Sequence, residues 1–486
     1  MLFNSLTYLT FLTLTVGVYW FIPARWRMGL VLLASLFFYG FWRVEFLLLI
    51  CFSAFVDYYF SLKIHDETRL IRRRYLLCIS LAINLGLLVY FKYTYFLAEN
   101  AVRLGAIFGQ SWEFALPDII LPLGISFYTF LSISYTVDVY RRTFEPIRHF
   151  GVYLTYVMFW PHMIAGPILR AHELIPQVAR LGLPRMDEMM AGLRYVLMGL
   201  FLKVALGDQL APWVDEAFAA DPRHLGGLDV WTMAYAFGLQ IYFDFAGYSM
   251  IAIGSALLIG VQLPENFNWP YLATSPRDFW RRWHITLSSW IRDYLYLPLT
   301  GATFQGTSGG GIDVLKSERQ LTFWRMNIAL FLTWFTMGLW HGAAWKFAFW
   351  GVWHATVIFL YRIAAPYFAG WRGWSKSLAG WFVTMPIMML GWVPFRAASL
   401  DAALMMMSKV LDLGSYRSLA FRENFYLLSF VLMLGMLLSG LAVHARVGLL
   451  KAPSVRWWGQ HAVLAVVFFA VFIFLRPVSQ FIYFQF

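Results

Sequence analysis

Ile328-Ala329-Leu330-Phe331-Leu332-Thr333-Trp334-Phe335-Thr336-Met337-Gly338-Leu339-Trp340-His341-Gly342-Ala343-Ala344-Trp345 runs without an acid, a lysine or an arginine. Its apolar residues are continuous rather than alternating, which suits a membrane helix and not a strand of a closed barrel. His341 is the exception in it. An ionisable side chain at that depth costs free energy, so its default reading is a cavity-lining group that does chemistry. The stretch belongs to an apolar segment near 324–345, and comparable segments fall near 5–22, 29–44, 45–62, 75–97, 119–139, 150–168, 190–208 and 230–260, and again near 347–365, 377–395, 424–443 and 460–476. At about 20 residues per span, the chain reads as all-α. It is expected to be a polytopic transmembrane helical bundle of about 11–13 membrane segments, the shorter ones re-entrant or interfacial.

Composition agrees. Of 486 residues, 60% are hydrophobic and 13% charged, too apolar a balance for a soluble protein of this length. The net charge of +12 sits in short loops between apolar runs, the pattern of cytoplasmic helix flanks and not of a nucleic-acid surface. Arg25 and Arg27, the cluster Lys63, Arg69, Arg72, Arg73 and Arg74, and Arg141, Arg142 and Arg148 place the N-terminus outside and the 63–74 loop in the cytoplasm, provided that 29–62 forms two short spans. No basic residue precedes the first apolar run and Phe21-Ile22-Pro23-Ala24 is a poor cleavage site, so 5–22 is expected to stay as a span. Cys51 and Cys78 both lie in apolar segments and support neither a disulfide framework nor a cysteine metal site. No internal repeat is visible. A single domain over 1–486 is expected, with N-terminal spans in 1–150, a core in 151–365 and C-terminal spans in 366–486.

The least membrane-like stretch is 264–324. Within it, Trp280, Trp283, Leu287, Trp290 and Tyr294 recur at helical spacing, as do Arg281, His284, Ser288 and Arg292. That spacing predicts one amphipathic helix over 277–296, lying at the interface or dipping into the bundle. The run Gly306-Thr307-Ser308-Gly309-Gly310-Gly311 lacks phosphate-loop and dinucleotide spacing and reads as a flexible loop.

Four ionisable groups stand out. His341 can act as a base near neutral pH, or be a neutral histidine bonded to a neighbouring carbonyl. Trp340 and Trp345 are candidate walls beside it, and Gly338 and Gly342 would let a helix or a substrate come close. His284 can face headgroups, or join Arg281, Arg282 and Arg292 in steering an anionic donor or acceptor. Asp244, beside Gln240, Tyr242 and Tyr248, reads as a hydrogen-bond anchor or a proton relay. His162, between Pro161 and Pro167, marks either a kink or a tunnel wall. No His-Glu-x-x-His motif occurs, and His341 and His354 lie too far apart in sequence for a ready metal site, so no metal is expected.

Five ordered stretches together resemble the membrane-bound O-acyltransferase family, in the branch that holds the membrane subunit of alginate O-acetylation. They are Pro161–Ile168, Gln240–Ser249, Pro264–Asn268, Asp278–His284 and Gly338–Ala343, and the likeness extends over nearly the whole chain. The resemblance implies that His341 is the essential active-site histidine and His284 the second. It implies a central funnel or tunnel in which a cytoplasmic acyl thioester, acetyl-CoA or an acyl carrier, meets an acceptor on the far side, with no bound cofactor. Arg281, Arg282, Trp283, Trp340, Asp244, Tyr248 and His162 become candidate donor-binding or wall residues. The implied setting is the inner membrane, the implied acceptor an exported polysaccharide, and the implied partner a separate exocytoplasmic acetyltransferase. Many members carry Asp at the place of Met250 and Gly at that of Thr300, and the 302–322 insert lengthens the path between the histidines, which leaves the partner surface open. D-alanyl or longer acyl transfer, a transporter without covalent chemistry, and a scaffold of an export complex are the rival readings.

Overall fold

A computed structural model describes residues 1–163, 166–306, 312–315, 322–371, 373–444 and 453–475. Helices dominate, with one antiparallel strand pair, Thr303–Gly306 against Ile312–Leu315. That pair brackets the glycine run, of which 307–311 lie outside the described residues, as do 316–321 of the insert.

Among the described residues, seven helical stretches are long and apolar enough to cross a membrane: Glu45–Asp66, Leu70–Ile107, Met186–Ala219, Gly227–Leu257, Trp345–Phe368, Trp374–Arg396 and Glu423–Val443. Leu6–Phe21 is a shorter apolar helix. Several apolar runs differ from simple spans. The run near 119–139 becomes helical only at Ile125, after Gly124 turns the chain with φ 71°. The run near 150–168 breaks at Phe159 into Phe150–Met158 and Trp160–Met163. The run near 324–345 is helical only to His341, because Gly342 is extended.

Packing divides the chain into two compact units. The first comprises Met1–Arg194, Ala252–Pro264 and Leu297–Leu321. Long-range hydroxyl bonds tie it together: Tyr8 Oη lies 2.7 Å from Ser255 Oγ, and Tyr19 Oη donates to the Gly182 carbonyl at 2.7 Å.

The second unit comprises Tyr195–Ile251, Glu265–Tyr296 and Thr322–Phe486. Gly227–Leu257, which supplies residues 227–251 to it, is 94% buried across its apolar window and is a core helix. Small residues set its helix packing. A Cβ on Gly199 would come within 2.6 Å of the Gly247 carbonyl oxygen, and one on Gly247 within 2.7 Å of the Gly199 oxygen. The hairpin of Phe323–His341 and Trp345–Ala364 is as close, since a Cβ on Gly351 would sit 2.1 Å from the Trp334 oxygen and one on Gly338 2.2 Å from the Phe347 oxygen. Between membrane helices, such backbone approach gives the dispersion attraction that apolar solvent does not otherwise favour.

The segment 277–296 is not one amphipathic helix. Ser275 caps Pro276–Arg282 by accepting from the Asp278 N–H, the helix stops at Trp283, and His284 turns left-handed with φ 43° before Ile285–Ile291 begins. The cause is non-local. The loop 266–268 takes over the backbone groups at the break: Asn268 N–H donates to the Arg282 carbonyl and Ile285 N–H to the Asn266 carbonyl, both at 2.9 Å.

Candidate active site

Asn266 and His284 form the best-defined polar centre of the second unit. His284 is 1% and Asn266 1% exposed. Asn266 Oδ1 accepts from the Thr286 backbone N–H at 3.3 Å and the Thr286 hydroxyl at 2.9 Å, and it lies 3.0 Å from His284 Nδ1. The Asn266 amide donates to Ser249 Oγ at 3.2 Å. A backbone N–H can only donate, so the atom facing it is the amide oxygen. His284 Nδ1 therefore carries the proton, and Nε2 carries the lone pair. That Nε2 is buried with no hydrogen-bond partner among the described residues. Burial pushes the imidazole down to about 3, so it is neutral at ordinary pH. A buried acceptor without a partner costs about 1–3 kcal/mol, and a left-handed non-glycine residue adds strain. Such costs are found most often at functional sites. His284 thus sits in the interior, not on a headgroup-facing polar stripe.

His341 ends its helix, 6% exposed. Its ring packs at 4.9 Å from Trp340, 5.0 Å from Trp350 and 5.2 Å from Phe395. Gly342 leaves the room that Phe347 fills, for a Cβ there would meet that ring at 2.1 Å. A run of touching rings leads from one histidine to the other: His284 to Phe267 at 6.4 Å, Phe267 to Trp283 at 5.1 Å, Trp283 to Trp392 at 4.9 Å, Trp392 to Trp350 at 6.4 Å, and Trp350 to His341. Trp283 and Trp340 are walls of this aromatic core, 2% and 5% exposed. Trp345 is not; at 46% exposure it starts the next helix on the surface.

Asp244 and Tyr248 serve a different cluster of the same unit. Asp244 pairs with Lys203, which also pairs with Asp208 at 2.6 Å. The Lys203 ammonium lies 5.6 Å over the Tyr248 ring. Gly199, Lys203 and Gly207 recur every four residues and meet Gly247 and Asp244, so the close glycine crossing delivers the ammonium to the carboxylate. Asp244 is therefore an ion-pair anchor. Lys203 was legible as a cation deep in the 190–208 run, and a charge at that depth needs a partner.

Arg281 is exposed, and Arg282 is half-buried with its Nε 3.0 Å from Asp278 Oδ1. His162 belongs to the first unit, and its Nε2 lies 3.0 Å from the Tyr156 carbonyl oxygen. It thereby satisfies a carbonyl freed where the helix breaks at Phe159, which fits the kink. Ile164 and Ala165 of its motif lie outside the described residues. Among the described residues, no group of three or more His, Cys, Asp or Glu could hold a metal ion.

The profile of MBOAT, the membrane-bound O-acyltransferase family, matches residues 146–312, a window that contains His162, Asp244 and His284 and stops before His341. Over 424 residues the chain is 38% identical to a probable alginate O-acetylase of Azotobacter vinelandii, covering 86% of this chain and 79% of that one. It is 36% identical over 428 residues to a probable alginate O-acetylase of Pseudomonas aeruginosa, covering 86% and 76%. It is 33% identical over 420 residues to a peptidoglycan O-acetyltransferase of Helicobacter pylori, covering 81% and 74%.

Proposed function

This chain belongs to the membrane-bound O-acyltransferase family, and from that membership we propose that it moves an acetyl group from a cytoplasmic thioester across the inner membrane for O-acetylation of an exported polysaccharide. It is a multi-pass membrane acyltransferase; the donor, the acceptor and the residue roles are the proposal. The observation that carries it is the pair of buried histidines joined by aromatic rings, with the His284 Nε2 lone pair held open by Asn266.

In the reaction, His341 takes the proton from an acceptor hydroxyl as its oxygen attacks the thioester carbonyl carbon. The carbon–sulfur bond then breaks, the acetyl group becomes an ester, and the departing thiolate recovers the proton from the imidazolium. The thiolate is a good leaving group, so positioning and one base suffice. His284 accepts a hydrogen bond from the incoming hydroxyl or donor amide and orients it. Trp283 and Trp340 exclude water, Arg281 and Arg282 steer the donor's anionic end, and Asp244 with Lys203 and Tyr248 holds the supporting helices. A separate exocytoplasmic acetyltransferase completes delivery to the polymer.

The test feeds labelled acetate to whole cells and measures alkali-labile ester on exported polymer for wild type and His341→Ala at equal membrane abundance. Loss of ester is the expected result. Unchanged ester removes His341 from the chemistry and favours a scaffold; transport without thioester turnover in any variant favours a transporter.

A further inference from the structure

The basic cluster at 63–74 has no part in acyl transfer, and in the first unit it meets a second one. Glu45–Asp66 and Leu70–Ile107 can each cross a membrane, so the short turn between them stands at the membrane surface. The helix Ile125–Arg141 ends against that turn. Arg73 Nη2 donates to the Tyr140 carbonyl, the Arg73 guanidinium lies 5.1 Å over the Tyr140 ring, and Arg74 Nε donates to Tyr140 Oη at 3.4 Å. From the other chain, Arg142 Nη1 donates to His65 Nδ1 and Nη2 to the Glu67 carbonyl, both at 3.4 Å. Arg142 reaches them from a left-handed residue, φ 62°, at the end of its helix, where Thr143 N–H donates to the Asp138 carbonyl. Such a turn favours glycine, so an arginine in it is strained.

These acceptors are all neutral. Among the described residues, none of Arg73, Arg74 and Arg142 forms an ion pair; the nearby Glu67 carboxylate instead accepts from the Arg69 N–H at 2.8 Å and lies 3.9 Å from Arg72 Nη1. Three guanidiniums are thus gathered on Tyr140 and on the 65–67 backbone with no acid among them, and Arg73 and Arg142 repel each other. A planar guanidinium fork matches a phosphate, and basic pockets between helix ends at the surface suit anionic headgroups. The Lys63 ammonium, 5.6 Å over the Tyr59 ring, adds the tyrosine–cation pairing of a headgroup-level belt. We propose that Arg73, Arg74 and Arg142 bind the phosphate of an anionic phospholipid headgroup at the junction of these three helices.

This does not depend on the acyl-transfer reading, and its test does not use acyl transfer. Thermal unfolding of the full chain in detergent would be followed while phosphatidylglycerol, phosphatidylcholine or inorganic phosphate is added at constant ionic strength. The wild-type midpoint should rise saturably with phosphatidylglycerol alone, as for any ligand that binds the folded state. Arg142→Gly removes a guanidinium and puts glycine where the backbone wants it. Its midpoint without lipid should not fall, yet it should need several-fold more phosphatidylglycerol for half the rise. Arg73→Gln should shift the response in the same direction. Arg417→Gln with Arg422→Gln, exposed arginines of the second unit, should respond as the wild type does. Four results overturn the site: a wild-type midpoint indifferent to phosphatidylglycerol, an equal rise with phosphatidylcholine or inorganic phosphate, a rise unchanged in Arg142→Gly and Arg73→Gln, or an equal loss in the second-unit variant.

Discussion

Replacing Asn266 by leucine isolates what the hydrogen bond to His284 does. Leucine has a similar volume but no acceptor, so it strands the His284 Nδ1–H, the Thr286 N–H and the Thr286 hydroxyl. The site is about 1% exposed, so water does not replace the lost oxygen. One neutral hydrogen bond is worth about 1 kcal/mol net, which biases the tautomer roughly five-fold. The larger effect is orientation: a partner that fixes a functional imidazole typically controls about 10–100-fold in activity, and a wrong tautomer costs up to about 10⁴-fold. Asn266→Leu should therefore lower acetyl transfer by at least about ten-fold at equal membrane abundance. Asn266→Asp keeps an acceptor facing Nδ1 and should retain clearly more activity than the leucine variant. The assay is labelled ester on exported polymer, normalised to protein in the membrane. If Asn266→Leu transfers acetyl within two-fold of wild type at equal abundance, the Nδ1 contact does not set the working state of His284 and the reasoning fails.

Three further outcomes follow from the same geometry. Lys203→Met leaves Asp244 and Asp208 without their cation, and breaking a buried pair this way costs about 3–5 kcal/mol; adding Asp244→Asn should recover most of the loss in thermal unfolding, and a double variant no better than the single one counts against the pair. Gly351→Ala puts a Cβ 2.1 Å from the Trp334 carbonyl oxygen, a backbone atom that cannot swing away, so it should destabilise by about 3 kcal/mol and depress transfer, whereas Gly370→Ala, with nothing within 4 Å, should leave the unfolding midpoint unchanged. Because burial lowers the His284 imidazole from 6.5 to about 3, the unfolded chain binds the extra proton between those pH values. Its contribution to stability is complete above pH 6.5 and is lost as pH falls towards 3, so His284→Gln should flatten the acid-side fall of the unfolding midpoint; an unchanged slope refutes the assignment.

Local composition decided the class of this protein. Continuous apolar runs read as membrane helices because lipid leaves backbone groups no partner outside the helix, and His341 was conspicuous as the ionisable residue in such a run. Gly338 was legible as a close-approach position, and the hairpin bears this out against Phe347 and Gly351. Periodicity failed at 277–296, where it reports only what a regular helix would present to its surroundings. The backbone of 282–285 instead bonds to 266–268, which breaks the helix, turns His284 left-handed and carries its ring into the interior. The same physics hid the tautomer, set by an asparagine eighteen residues upstream, and the counter-ion of Asp244, which stands on another helix. Residue type and spacing determine which side chains want burial or a charged partner; only the tertiary structure, where helices meet at glycines and loops lend their backbone groups, decides which partner each one finds.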